Sequence, residues 1–197
     1  KARAGWGWEG CAMSHVNLVK YAKKNNLKYI IVAEDDFINT IHIENWELRL
    51  TTIINWLMKN DDQWDIFNGL PAGVHVDKAI NILNKDIGLV NLNGGYNTHF
   101  IIYNHTIYDT IIKWYSLYDP NNINEKRNHL LAMDVYLSNN TNMITAYPLL
   151  TNSNNDDSDI IGTHTNINNN MIEQKKQELV NCKKRLVKIP KKTIEIH

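Results

Sequence analysis

Three consecutive carboxylates, Glu34, Asp35 and Asp36, close an apolar run in the stretch YIIVAEDDF, Tyr29 to Phe37. Like charges side by side repel, and taking each one out of water costs roughly several kcal/mol. Either solvent or a cation must compensate. Side chains alternate along an extended chain, which predicts Glu34 and Asp36 on one side and Asp35 on the other. Two carboxylates on one side of a strand end suit a hard divalent cation, with phosphate oxygens completing its shell. The plainer alternative is a solvated turn in which the acids merely end a strand.

The elements around this motif alternate. Ser14 reads as an N-cap, followed by a helix over 15–24 with Val16, Leu18, Val19 and Ala22 inward. The apolar run over 29–33 reads as a central strand covered on both faces. Residues 45–59 carry Trp46, Leu50, Ile53, Ile54 and Leu57 at helical spacing, and 64–67 make a short strand. Helix and strand in alternation predict an α/β sheet with crossover helices. Beyond Pro71 the pattern is mixed. Strands are expected over 87–92 and 99–103, on either side of the turn signal Asn93-Gly94-Gly95. Helices are expected over 107–117 and 130–137, a strand over 143–150, a polar loop over 151–159 and a charged helix over 171–186.

At 197 residues the chain is long enough for one domain with a substantial core. Lysine plus arginine equal aspartate plus glutamate, so the basic excess of a nucleic-acid binder is missing. No apolar run approaches the roughly 20 residues of a membrane helix, and no signal peptide opens the chain. These features predict a cytoplasmic protein. The abundance of Asn and Ile reads as the codon bias of an AT-rich microbe or large DNA virus. Cys11 and Cys182, far apart, read as reduced thiols. A phosphohydrolase of the haloacid-dehalogenase type also puts acids after a buried strand. It requires a nucleophilic Asp, a second Asp two residues on and then a small hydroxyl residue; Glu34, Asp36 and Ile38 fit that order poorly.

The run GCAMSHVNLVKYAKKNNLKYIIVAEDDF, Gly10 to Phe37, resembles glycosyltransferase family 25: Gly-Cys, then Ser-His, then an apolar strand ending Glu-Asp-Asp. Four later segments resemble that family in the correct order: DDQWDIFNGL (61–70), NTHFIIYN (97–104), MDVYLS (133–138) and YPLLTNSNNDDSDI (147–160). The resemblance implies a GT-A fold, a Rossmann-like, mostly parallel sheet flanked by helices, with a smaller mixed acceptor-side region. It also implies inverting transfer of a galactose- or glucose-type hexose from a UDP-sugar to a hydroxyl of a protein or glycan, with Mn2+ as the usual metal. The expected partners are therefore a nucleotide-sugar and an acceptor, with homo-oligomerisation left open. A non-catalytic nucleotide-sugar or carbohydrate-binding module on the same fold is the alternative.

Carried onto this chain, the resemblance makes Glu34 and Asp36 metal ligands, with Asp35 contacting ribose or sugar or only fixing the turn. Asp134 becomes the candidate base. It lies in HLLAMDVYL with Leu130, Leu131 and Leu137 at i−4, i−3 and i+3, and an apolar face raises a carboxylate's pKa towards that of a useful base. The alternative for Asp134 is a structural carboxylate bonded to backbone. Ser14 and His15 at a helix start suit phosphate, or simply cap and pack. His164 is a candidate metal ligand, and Thr98 and Gly94-Gly95 candidate pocket residues. Trp6 and Trp8 are candidates for stacking on sugar, with Trp56 and Trp114 in the core. Residues 1–165 are expected as one domain and 166–197 as a C-terminal helix and tail. Family members usually begin with a further strand and a nucleotide-contacting segment. The residues just ahead of Gly10 do not resemble that segment, and a sheet without it is expected to expose an edge.

Overall fold

The computed structural model describes residues 7–35, 37–39, 46–71, 75–84, 87–117 and 132–153. Helix α1 (Gly7–Lys24) leads to β1 (Tyr29–Ala33), a short β2 (Phe37–Asn39), α2 (Trp46–Lys59) and β3 (Ile66–Asn68). Then come β4 (His75–Ile82), β5 (Gly88–Asn93), β6 (Phe100–Asn104) and a 3-10 turn leading into α3 (Tyr108–Leu117). The described chain closes with α4 (Met133–Asn140), β7 (Met143–Tyr147) and β8 (Thr151–Ser153).

Six strands form one sheet in the order β1-β6-β3-β7-β5-β4, and β2 pairs with β8. Alternation along the strands builds two cores. Val32, Ile66, Val90, Ile101 and Tyr103 meet the buried stripe Ala12, Val16, Val19 and Ala22 of α1 and residues of α3 and α4. Phe67, Leu89, Phe100, Ile102 and Ile144 meet Ile53 and Leu57 of α2 on the other face. The result is helix, sheet, helix in three layers. Trp114 is core as expected, whereas Trp56 is only partly buried against the α2 layer. No described helix is long and apolar enough to cross a membrane.

The sheet corrects the mostly parallel expectation. Only β3 and β7 pair parallel; β1–β6, β6–β3, β7–β5 and β5–β4 are antiparallel. Strands β1 and β3 both run opposite to β6, so they share a direction, as a crossover through α2 requires. Strand β6 lies between them. Alternation of helix and strand reports strand direction but not which strands are neighbours. The run over 29–33 is also not central: β1 is an edge of the described sheet, and Ile31 is 50% exposed. Tyr29 at the start of β1 stacks on Trp64 at 5.7 Å, against the α2-side core.

Two local expectations change as well. The helix begins at Gly7, so Ser14 is internal, exposed, and donates to Gly10 O at 2.9 Å, one turn back. Burial of four apolar residues on one face outweighs the poor helix propensity of Gly7 and Gly10. Thr151, expected in a polar loop, is buried and pairs with Asn39 in the β2–β8 ladder. Asn104, which heads an Asn-X-Thr sequon, is buried and donates to Asp61 O at 2.8 Å and Trp64 O at 3.0 Å, so it is not available to modification in the fold.

Gly69, just after β3, shows how closely this end of the sheet is packed. Its N–H donates to Phe100 O at 2.9 Å, and a Cβ there would lie 2.8 Å from Phe100 Cδ1 and 3.0 Å from Thr151 Oγ1. Both neighbours are buried and cannot swing away. Gly69→Ala is expected to cost about 1–3 kcal/mol, the usual range for overpacking. Urea unfolding should show a lower midpoint with an unchanged slope.

Candidate functional site

The site is built where α1, the end of β1 and the lead into β6 meet. Residues Cys11 and His15 are one helical turn apart on α1 and so share a face. In β1, Val32 faces α1, and by the two-residue period Glu34 follows it to the same side. The antiparallel register Ala33↔Phe100 continues one step further, with Glu34 N–H donating to His99 O at 2.9 Å. Thr98 and His99 are thereby brought against Glu34.

A second group of bonds fixes the loop that carries Thr98. Asn97 has φ 73, a left-handed conformation that asparagine tolerates. Its carbonyl accepts from the Nδ2 of buried Asn68 at 2.9 Å, and Asn68 Oδ1 accepts from Leu70 N–H at 3.0 Å. One buried amide on β3 thus holds the approach to β6.

Glu34 is the hub. Its Oε1 accepts from Thr98 Oγ1 at 2.5 Å and from Cys11 Sγ at 3.2 Å, and lies 3.4 Å from His15 Nε2. His99 Nδ1 is 3.6 Å from the other carboxylate oxygen. Behind His15, its Nδ1 meets the hydroxyl of buried Tyr103 at 2.8 Å. Burial works against the Glu34 anion, but His15, Thr98 and Cys11 outweigh it, and its pKa falls from 4.5 to about 2. Burial pushes the Cys11 thiol up to about 12; the Thr98 hydrogen bond opposes this and the charges of Glu34 and Asp134 add to it. The site therefore pairs an ionised carboxylate with an un-ionised thiol. Cys11 is not a nucleophile at neutral pH.

The acidic motif differs from the expected extended run. Strand β1 stops at Ala33, and Phe37 N–H donates to Glu34 O at 3.1 Å, closing a turn over 34–37. Strand alternation does not extend through a turn. Glu34 points inward to α1 and β6, and Asp35 is exposed at the turn. Residues Asp36 and His164 lie outside the described residues, as do Trp6 and the side chain of Trp8. His15, expected at a helix start, is in mid-helix and 1% exposed, so its ring faces protein rather than a solvent-borne phosphate.

Asp134 is in the first turn of α4 rather than in the middle of a helix over 130–137, and Leu130 and Leu131 lie outside the described residues. One of its oxygens accepts from Val135 N–H at 2.8 Å. Its neighbours Met133 and Leu137 pack in the same core as α1, so α4 lies on the cluster's side of the sheet, and the Asp134 charge adds slightly to the raised pKa of Cys11 and Tyr103. Sequence reasoning brought Glu34, His15, Thr98 and Asp134 to attention separately. It gave no role to Cys11, His99 or Tyr103, whose polar groups complete the site. The i, i+4 spacing of Cys11 and His15 was the one signal available.

Residues 5–70 match the family model for glycosyltransferase family 25 (LPS biosynthesis protein). The match supports assignment to that family and covers about a third of the chain. It spans α1, β1, the acidic turn, α2 and β3, and so includes Cys11, His15 and Glu34. Thr98, His99, Tyr103 and Asp134 lie beyond it. No curated protein matches the chain.

Proposed function

We propose, from the assignment to glycosyltransferase family 25, that this chain transfers a galactose- or glucose-type hexose from a UDP-sugar to a hydroxyl of a protein or glycan acceptor, with inversion. The observation that carries the reading is the family match, which coincides with the segment that builds the acid-ended strand and its α1 wall. A glycosyltransferase family acts on a sugar donor and an acceptor. Inversion requires a base opposite the departing nucleotide. Asp134 takes that role: a carboxylate on the cluster's side of the sheet, held at a helix start through the Val135 N–H.

Mn2+ prefers carboxylate, carbonyl and water oxygens. Glu34 does not fit that part, because a hydroxyl, a thiol and two imidazoles already surround its carboxylate. Among the described residues of the motif, only Asp35 presents an exposed carboxylate. The proposed Mn2+ requirement therefore rests on Asp35 together with Asp36 and His164, and no catalytic step is derived through the metal.

Full-length protein incubated with UDP-galactose or UDP-glucose and a hydroxyl acceptor is expected to release UDP with Mn2+ present and to stop when EDTA is added. UDP-sugar binding without release would favour the non-catalytic module. Inorganic phosphate released from simple phosphomonoesters would overturn the transferase reading.

A further inference from the structure

We propose that Cys11 Sγ, His15 Nε2 and Glu34 Oε1 form a binding site for a borderline divalent transition metal of the Zn2+ class, distinct from the exposed Asp35 carboxylate of the acidic turn. The three ligand atoms lie within 4.8 Å of one another. A tetrahedral ion with bonds of about 2.0–2.3 Å has ligand–ligand edges of about 3.3–3.6 Å. Two edges here are 3.4 Å, between His15 and Glu34, and 3.2 Å, between Cys11 and Glu34. The third edge, between Cys11 and His15, lies within 4.8 Å, so these two side chains, one helical turn apart, close towards each other to admit the ion.

The histidine supplies the independent sign. Its ring is almost wholly buried, and its Nε2 faces Glu34 Oε1 at 3.4 Å without a well-formed hydrogen bond. A cation between the two atoms would replace this long contact with two coordinate bonds. The opposite nitrogen is held by the Tyr103 hydroxyl, and the two rings meet edge to face at 87°. Metal-bound histidines are oriented in this way, with one nitrogen fixed by an outer partner and the other turned to the ion.

Donor chemistry decides the class of metal. Thiolate and imidazole favour Zn2+ over Mn2+ or Mg2+. Thr98 Oγ1, 3.5 Å from Cys11 Sγ and donating to Glu34 Oε1, borders the three ligands, and a water would complete a tetrahedral ion. The Glu34 side chain keeps 19% exposure and Cys11 is only half-buried, which gives the ion an entry path. Binding replaces the Cys11 thiol proton with the ion and releases that proton to solvent; nothing is oxidised. The ion would tie α1 to the end of β1 and so hold the acidic turn in place.

Co2+ titration of the full-length, EDTA-stripped chain tests this without reference to sugar transfer. One equivalent should bind with a thiolate-to-cobalt charge-transfer band in the near ultraviolet, and Zn2+ should displace it. Cys11→Ser should lose the band, whereas Cys182→Ser should keep it. Tyr103→Phe, which preserves the ring, should keep the band and weaken binding by about 10–100-fold. No thiolate band in the wild type, a band that follows Cys182 instead, or unchanged affinity in Tyr103→Phe would each overturn the proposal.

Discussion

Asp134→Asn is expected to slow UDP release by about 10²–10⁴-fold, the range a positioned general base commonly supplies. The substitution is close to isosteric, and the Asn carbonyl can still accept from Val135 N–H, so the start of α4 should survive. Met133 and Leu137 keep α4 in the core whichever residue stands between them. What disappears is the group that takes the acceptor proton. The loss should therefore fall on kcat, with the donor KM little changed. Initial rates of UDP release across a donor series separate the two. A variant with unchanged kcat would remove Asp134 from the chemistry and leave it as a helix-start carboxylate.

Acid is expected to remove about 3 kcal/mol of stability from the metal-free protein through Glu34 alone. Its folded pKa is about 2 against an ordinary 4.5, and each unit of difference is worth about 1.4 kcal/mol. Because the folded value is depressed, the contribution is present in full above about pH 4.5 and is lost as pH falls towards about 2. Glu34→Gln has no such titration. With EDTA present, urea unfolding near pH 6 should show the wild type well above the variant, and the gap should close near pH 2. A gap that stays constant with pH would mean that the cluster does not hold the carboxylate ionised. The prediction bears on function because the Glu34 cluster sits beside the turn that carries Asp35.

Several features were legible from residue order. Val16, Val19 and Ala22 of α1, the helical spacing in α2 and a short strand at β3 emerged where periodicity predicts them, because local burial patterns follow the helix and strand periods; Leu18, expected inward, is 45% exposed, because it lies off the stripe that Ala12, Val16, Val19 and Ala22 form. The start of α1 was not legible, since Gly7, Gly10 and a cap-like Ser14 favour a later beginning. Packing of Ala12 against the sheet overrides that local preference. Strand β4 was missed because its bulged pairing with β5, with register shifts near Val76 and Ala79, disturbs the alternation that marks a strand.

Residue order by itself determined that an apolar strand ends in three acids, with a helix before it and another after it. Only the tertiary structure decided what Glu34 meets. Its partners come from 23 residues away at Cys11 and 64 at Thr98, and the tyrosine behind His15 lies 88 residues along the chain. Local periodicity carries no information about such distances. Strand β6 reaches Glu34 because it enters the sheet between β1 and β3, and strand adjacency is set by how two hydrophobic layers close around the whole sheet. That placement turns the first acid of the motif inward and makes it the centre of a partly buried thiol, imidazole and hydroxyl cluster.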